Sequence, residues 1–209
     1  NHGTDNFNYF LNLNRQRDVG IGFGDSRRDV FEGNTTTSRQ VESDYQSTEI
    51  NNTIRGGAEY FWNYFNKLGV DVILEQEDET SRSRSLNTRR RTAPQDELLR
   101  QRQITDNEDQ EGYTYEPTIY YQRKFPEEGK KLKASAKYSM EVQDDGTTTE
   151  KESRISGNNR QLYQNRQQEE ENRQLGVFRV DFTDPFLEDG KLETGVRGQY
   201  RKFDNNYRY

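Results

Sequence analysis

Strict alternation of apolar and polar residues is the feature that most constrains how this chain can fold. The clearest example runs from Leu132 to Val142, where every second residue is apolar and the residues between them are charged or hydroxylic. Successive side chains of a β-strand point to opposite faces, so this stretch predicts a strand with one apolar and one polar face. Such a strand either covers a soluble core or stands between lipid and a water-filled lumen.

Seven stretches alternate in this way, and the connections between them are in turn very long and very short. The stretches are 7–13, 54–62, 68–75, 113–121, 132–142, 178–182 and 192–201. Each apolar band is close to the roughly 9–11 residues that a tilted strand needs to cross a bilayer. Pro117 is the weak point of the fourth stretch, because proline cannot donate to the ladder and needs a bulge or a non-bonded position.

The long connections keep many β-prone residues, so we expect tall hairpins there rather than irregular loops. The pattern predicts an all-β fold, an antiparallel up-and-down meander that is part of a transmembrane outer-membrane β-barrel. We interpret residues 1–209 as an incomplete segment of one barrel domain, with about seven or eight strands, from a longer processed protein. The expected location is integral to the outer membrane of a Gram-negative cell.

One face of these strands is expected to contact lipid. The predicted lipid-facing residues are Val70, Val72, Leu132, Ala134, Ala136, Tyr138, Met140, Phe178, Val180, Phe182 and Val196.

Aromatic residues cluster beside all three short connections, as an interfacial girdle at headgroup depth requires. The predicted girdle residues are Phe61, Trp62, Tyr64, Phe65, Tyr121, Phe125 and Phe186. Short turns of bacterial barrels are periplasmic. We therefore place Asn63–Lys67, Pro126–Gly129 and Asp184–Gly190 in the periplasm, and the stretches near Asn34, Arg90 and Asn158 outside the cell. Aromatics that merely cap the hairpins of a soluble sandwich are the alternative.

Composition and motifs argue against catalysis and metal binding by this chain. It has no Cys, which excludes thiolate chemistry, and its single His2 lies at the end, where a catalytic triad has little support. The glycines at 20, 22 and 24 lack the Lys-Ser/Thr of a phosphate loop. The acidic runs 75–79, 144–145 and 169–171 lack the spacing of a Ca²⁺ loop. We predict no enzyme activity, no cofactor and no metal site.

Binding is expected at the hairpin tips, since a rigid wall leaves its loops free to vary. Guanidinium groups there suit lipopolysaccharide phosphates or a polar or anionic ligand. The candidate contact residues are Arg89, Arg90, Arg91, Arg154, Arg160 and Arg166. An ordinary solvated rim is the alternative for these arginines. With 31 basic and 37 acidic residues, the charge balance does not favour nucleic acid.

Two segments resemble the outer-membrane barrels of the TonB-dependent receptor superfamily. They are the hairpin from Phe178 to Tyr200, with Asp-Pro-Phe-Leu-Glu-Asp-Gly-Lys-Leu-Glu-Thr-Gly at its turn, and Ile54 to Asn63 followed by Lys67-Leu-Gly-Val-Asp-Val. The resemblance implies a barrel of about twenty-two strands with an N-terminal plug. This sequence contains neither the plug nor the motif that contacts TonB.

The resemblance also implies energy-coupled uptake or a role as an outer-membrane complex scaffold. Implied partners are outer-membrane lipid and lipopolysaccharide, a TonB-type energising system reached through segments outside this sequence, and a surface lipoprotein or other outer-membrane proteins. The alternative is a secreted soluble β-sheet binding or adhesive module, in which the apolar face is buried against a second sheet. A barrel that carries a lipase or protease site is a weaker alternative, because His2 is unsuited to it.

Overall fold

The alternating stretches form one antiparallel sheet with its strands in chain order. In the computed structural model, which describes residues 2–4, 6–155, 159–186 and 190–208, neighbours follow the sequence from the first strand to the eighth. The strands are β1 (His2–Thr4), β2 (Phe7–Glu32), β3 (Thr35–Asn63), β4 (Asn66–Ala93), β5 (Glu97–Lys124), β6 (Lys131–Ile155), β7 (Asn159–Phe186) and β8 (Gly190–Arg208). The predicted all-β meander is confirmed.

Strand length exceeds what a bilayer requires. Strands β2 to β7 have between 25 and 29 residues each, against the roughly 9–11 that cross a bilayer. The long polar connections of the sequence are therefore continuous strand, as expected from their Thr, Tyr, Val and Ile content. None of the described residues belongs to a helix long and apolar enough to cross a membrane.

Tight turns join the strands at both ends of the sheet. Gly33 adopts a φ of 60° between β2 and β3, a region that glycine enters without steric cost. Between β5 and β6, Gly129 adopts a φ of 84°, and the Phe125 N–H donates to the Lys130 carbonyl at 3.0 Å. The turn between β3 and β4 contains only Tyr64 and Phe65.

Pro117 lies within β5 without interrupting it. It is opposite Val72 of β4. On the other side, Tyr115 is opposite Met140 and Thr118 is opposite Lys137, so the register with β6 is the same before and after the proline. Pro117 therefore takes a non-bonded position, one of the two solutions predicted, and no bulge is needed.

The described part of the sheet has no hydrophobic core. Among these residues no hydrophobic side chain is buried, and the buried polar ones are Ser38, Thr105 and Thr183. Both faces of the single layer are open. We call residues 7–14, 53–75, 114–141, 173–186 and 190–203 the lower half of the sheet, next to the short turns, and residues 15–52, 76–113, 142–155, 159–172 and 204–208 the upper half.

Candidate functional site

The apolar residues of the lower half share one face, which we call the apolar face. Cross-strand pairing places Ala136 between Ile119 and Phe178, and Val180 opposite Val196. All eleven residues predicted to face lipid lie on this face: Val70, Val72, Leu132, Ala134, Ala136, Tyr138, Met140, Phe178, Val180, Phe182 and Val196. None is buried, and Phe178 and Val196 are 52% and 70% exposed.

The apolar face extends across more of the sheet than those eleven residues. It continues onto β2 through Leu11 and Leu13, because Leu11 is opposite Gly56 and Leu13 is opposite Ile54. The register therefore joins apolar residues of seven strands into one continuous band.

Aromatic rings border this band at the short turns. The rings of Trp62 and Tyr121 stack with centroids 5.7 Å apart, and Tyr64 meets Phe65 edge-on at 5.4 Å. Phe125 packs edge-on against Phe182 at 6.2 Å. Five of the predicted girdle residues thus lie together at one end of the sheet.

Phe61 and Phe186 do not share this arrangement. Phe61 is opposite Lys67 on the other face of the sheet, where the Lys67 ammonium lies 5.9 Å from its ring centroid. Alternation along β3 separates it from Trp62. Phe61 therefore lies on a different face from the other residues predicted for the girdle. The side chain of Phe186 lies outside the described part of the structure.

The opposite face of the lower half, which we call the polar face, carries a connected network around Glu59. Its carboxylate accepts from Lys67 Nζ at 2.8 Å and from Tyr120 Oη at 2.6 Å. Arg55 donates to Asp71 at 2.8 Å on the same face, and Lys137 pairs with Glu116 at 2.5 Å. These charged groups are matched by neighbours on adjacent strands.

Gly69 allows the Tyr120 ring to lie on the polar face. A Cβ at Gly69 would come within 2.2 Å of Tyr120 Cζ. No side chain larger than hydrogen fits there unless the ring leaves its hydrogen bond with Glu59. The glycine is thus required by close approach rather than by its backbone angles.

Carboxylates cross the polar face where the lower and upper halves meet. We call this set the acidic belt: Glu49, Glu75, Glu77, Glu79, Glu108, Glu141, Asp145, Glu169 and Glu171. Arg173 pairs with Glu141 and Glu171, and Asn205 donates to Glu169 at 2.7 Å. The three acidic runs of the sequence thus supply members of one belt.

Burial raises the pKa of two members of the belt. Burial raises the pKa of Glu77 above its ordinary value of 4.5, and the carboxylates of Glu49 and Glu75 raise it further. Burial also raises the pKa of Asp145, partly opposed by a hydrogen bond from Gln143. Within the described residues the belt contains no group of three ligands placed for a metal ion.

The six arginines expected to contact a ligand fall into different environments. Arg90 pairs with Asp96 at 3.2 Å and Arg91 with Glu97 at 2.9 Å. Arg154 and Arg160 both pair with Glu152, at 3.0 and 2.9 Å. The hydrogen bond from Arg160, followed by that from Arg154, holds the pKa of Glu152 below its ordinary range.

Arg89 and Arg166 stand apart from those four. Arg166 is exposed on the same side of the sheet as the apolar face, opposite Thr148. Arg89 lies on the same side as the polar face, between Arg39 and Arg100, and Arg39 is in turn opposite Arg28. We call Arg28, Arg39, Arg89 and Arg100 the arginine row.

Sequence reasoning identified only one residue of this row. The pair Arg28 and Arg39 was readable, because both lie five residues from the two-residue turn at Gly33 and Asn34. The pair Arg89 and Arg100 could not be found by the same counting from the tip. A register irregularity between Arg89 and Arg90 lies between this pair and the β4–β5 tip.

The glycines at 20, 22 and 24 belong to β2 and form no phosphate loop. They lie on the polar-face side, with Ser43, Tyr45 and Ser47 of β3 against Gly24, Gly22 and Gly20.

Comparison with known families identifies part of the chain. A model described as an outer membrane protein beta-barrel family matches residues 123–209, which cover β6, β7, β8 and the turn before them. No curated protein matches the chain by sequence.

Solved outer-membrane proteins resemble the chain weakly. The RagAB peptide transporter matches with 7% identity and a TM-score of 0.36, over 98% of this chain and 32% of that one. The siderophore receptor PiuA from Acinetobacter baumannii matches with 8% identity and a TM-score of 0.19, over 98% and 46%. The chain therefore spans about a third of the length of the RagAB protein that it matches.

The family match and the sheet agree on where the protein resides. The match covers the strands in which alternation is clearest, and those strands continue in the same register into the rest of the meander. The protein is an integral β-sheet protein of the outer membrane.

Proposed function

We propose that the chain forms part of the wall of a receptor-type barrel of the TonB-dependent superfamily. It would act in energy-coupled uptake, or as a scaffold of an outer-membrane complex, with residues 1–209 contributing to a single barrel domain. The observation that carries the proposal is the contrast between faces of the lower half. One is a continuous apolar band with no buried core among the described residues, and the other is a network of charges.

Lipid is the partner that this contrast fits. An apolar band on one face and a charged lumen on the other is how membrane barrels are built. We propose that the apolar face contacts lipid tails, and that Trp62, Tyr121, Phe125 and their aromatic neighbours lie at headgroup depth. The polar face then lines the lumen. The upper half, and with it the hairpin tips, extends outside the cell.

The proposal includes partners beyond lipid. Lipopolysaccharide would surround the upper half, a TonB-type system would act through other parts of the protein, and a surface lipoprotein or other outer-membrane proteins would bind at the exposed hairpins. We propose no catalytic role for the wall and no nucleic-acid partner. The resemblance of the Phe178–Tyr200 hairpin to TonB-dependent receptors supports uptake or a scaffold role.

A secreted soluble module is the second candidate, and the exposed apolar face disfavours it. A soluble sandwich buries that face against a second sheet. Among the described residues, all eight strands belong to one sheet and no hydrophobic side chain is buried. A soluble module would leave an apolar surface open to water, which soluble proteins rarely do.

Uptake can be tested without knowing the substrate. Whole cells that produce the protein are incubated in rich medium, and their small-molecule content is measured by mass spectrometry, with and without an intact TonB system. We expect solutes whose accumulation requires both the protein and TonB. Deletion of the β4–β5 tip, residues 88–101, should abolish their uptake while the barrel remains heat-modifiable on a gel. Accumulation that is independent of TonB, or untouched by the deletion, would contradict the uptake role.

A further inference from the structure

The arginine row is a line of like charges across four strands. Arg28 is opposite Arg39, Arg39 opposite Arg89, and Arg89 opposite Arg100, so β2, β3, β4 and β5 each contribute one guanidinium. Arg102 adds a fifth two residues further along β5, opposite Asn87. All four side chains of the row are exposed. Like charges directly opposite each other destabilise a sheet, so the row does not serve the fold.

The row lacks the carboxylate partners that some arginines of the upper half, such as Arg90 and Arg91, possess. Within the described residues no carboxylate lies within 4.0 Å of any guanidinium of the row. Arg39 donates to the side-chain oxygen of Asn87 at 2.7 and 3.1 Å, in the amide orientation that satisfies both groups. By contrast, Arg27 pairs with Asp29 at 3.2 Å on the other side of the same strand as Arg28.

The row borders a cleft of a size suited to a small ligand. The cleft has a volume of about 410 Å³ and is lined by the row together with Arg102, Asn87, Val30, Thr37 and Glu32. Ligand sites typically enclose about 300–1,000 Å³. Adjacent strands lie about 4.8 Å apart, so four guanidiniums in a row span roughly 14 Å. That length accommodates several anionic groups, each held by one or two arginines.

We propose that the arginine row binds a solute that carries two or more phosphate or carboxylate groups. Guanidinium forks match the geometry of both oxyanions and can bind each through two parallel hydrogen bonds. The absence of carboxylate partners leaves these donors available to a ligand. The proposal names a ligand class for the hairpin tips, and it rests on the proposed uptake function for the route by which the ligand reaches them.

The face on which the row lies favours a solute over lipopolysaccharide, whose phosphates have the same chemistry. Alternation along each strand places the row on the same side of the sheet as the polar face. No register irregularity separates the row from the lower half on any of its four strands. Arg89 lies 15 residues beyond Leu74 along β4, or about 50 Å of strand. Lipopolysaccharide packs around the outside of a barrel, whereas the row faces the side that continues the lumen.

Calorimetric titration of the purified, detergent-solubilised protein with inorganic tripolyphosphate tests the proposal. Wild type should bind, and Arg39→Gln/Arg89→Gln should bind about tenfold more weakly or worse, as expected when charge-assisted hydrogen bonds are lost. The matched control is Arg82→Gln/Arg84→Gln, which removes the same charge from β4 on the opposite side and should bind like wild type. Citrate, used as a carboxylate probe, should bind wild type and the variants in the same order of affinity.

Thermal unfolding separates binding from folding. Tripolyphosphate should raise the unfolding midpoint of wild type and leave that of Arg39→Gln/Arg89→Gln unchanged. Without the anion, the double variant should be at least as stable as wild type at low salt, because repulsion has been removed. If the double variant does not assemble, Arg39→Lys/Arg89→Lys keeps the charge and should still weaken binding, since an ammonium cannot make the forked contact.

Three outcomes would overturn the proposal. They are no tripolyphosphate binding by wild type, equal loss in the row variant and the control, or loss of co-purifying lipopolysaccharide from the row variant alone. The last would mean that the row faces the lipid leaflet. The calorimetric titration needs no energy source, so its result can be interpreted even if TonB-dependent uptake is not observed. Likewise, a failure of the row to bind tripolyphosphate would not affect the interpretation of the uptake experiment.

Discussion

The lower and upper halves are built on the same strands and differ in what their faces carry. Strand β4 runs without a break from Asn66 to Ala93. In its lower half Val70, Val72 and Leu74 lie on one face, and Gly69 and Asp71 on the other. In its upper half both faces are mainly polar or charged. The backbone ladder is the same, but only the lower half has two faces of different chemistry.

The comparison shows where the register of the sheet is specified. A slip of one residue exchanges the faces of a strand, which is costly only where those faces differ. The lower half therefore fixes the register, and the upper half inherits it through continuous strands and tight turns. Cross-strand contacts such as Thr149 with Asp106 at 2.6 Å reinforce the upper half, each by roughly 0.2–1 kcal/mol.

A charge on the apolar face should have the largest effect and should separate the two halves clearly. Ala136→Arg places a guanidinium near the middle of the apolar band and should cost about 2–4 kcal/mol of unfolding free energy in lipid vesicles. Thr80→Arg, on the same side but in the upper half, should cost less than about 0.5 kcal/mol. Denaturant titration of the protein refolded in lipid measures both.

A third variant tests the faces rather than the halves. Lys137→Ala removes the partner of Glu116 from the polar face beside Ala136, and should cost under about 1 kcal/mol because the pair is partly exposed. Equal losses for Ala136→Arg, Thr80→Arg and Lys137→Ala would show that neither the faces nor the halves differ as described.

Two glycines of the polar-face side give a smaller contrast. Gly69→Ala in the lower half forces the Tyr120 ring off Glu59 and should cost about 1–2 kcal/mol. Gly112→Ala in the upper half meets Glu77, with its Cβ at 3.7 Å and its carbonyl oxygen at 4.0 Å. These are ordinary contacts, so stability should change by less than about 0.5 kcal/mol. The same denaturant titration applies, and a larger loss at Gly112 would contradict the packing described for Tyr120.

Neutralising Asp145 of the acidic belt should have the smallest effect on stability, and only in the upper half. The pKa of Asp145 is raised by burial in the folded sheet, so its charged form is disfavoured there. The stability it contributes is complete below the ordinary value of 3.8 and is lost as pH rises through the higher folded-state pKa. Asp145→Asn should therefore slow hydrogen exchange in the β5–β7 hairpins at pH 7.

The gain from Asp145→Asn should disappear below pH 3.8, where the wild-type carboxyl is protonated in both states. Asp109→Asn, on the other face of the same region, is the control. A gain of equal size at both pH values would mean that repulsion and burial at Asp145 do not set its titration.

The sequence was sufficient for the strand order and for the apolar face of the lower half. Alternation with period two assigns faces directly, as between Leu132 and Val142, and connection length separates the short turns from the tall hairpins. Asn34 lies at the tip of the β2–β3 hairpin and Arg90 near the next, as expected. Asn158 lies outside the described residues.

The hairpin ends mark where sequence reasoning fell short. Alternation along β3 puts the Phe61 ring on the polar face, whereas its neighbour Trp62 packs with the interfacial aromatics. The irregularity between Arg89 and Arg90 offsets the β4–β5 tip from the ladder below it, so counting back from the tip does not show that Arg100 is opposite Arg89. A bulge depends on local backbone geometry rather than on residue pattern. Ion pairing of Arg91 with Glu97 depends on the shifted register at the β4–β5 tip, and that of Arg160 with Glu152 depends on the β6–β7 register.

Cysteine labelling in whole cells tests the central claim, that the lower half lies in the membrane and the upper half outside it. The chain contains no Cys, so each introduced thiol reports one position. Asn34→Cys at a hairpin tip and Thr80→Cys in the upper half should react with a membrane-impermeant maleimide. Ala136→Cys on the apolar face and Glu127→Cys in the short turn should not react until the cells are broken or the membrane is dissolved. Labelling of Glu127→Cys on intact cells, with Asn34→Cys protected, would contradict the account.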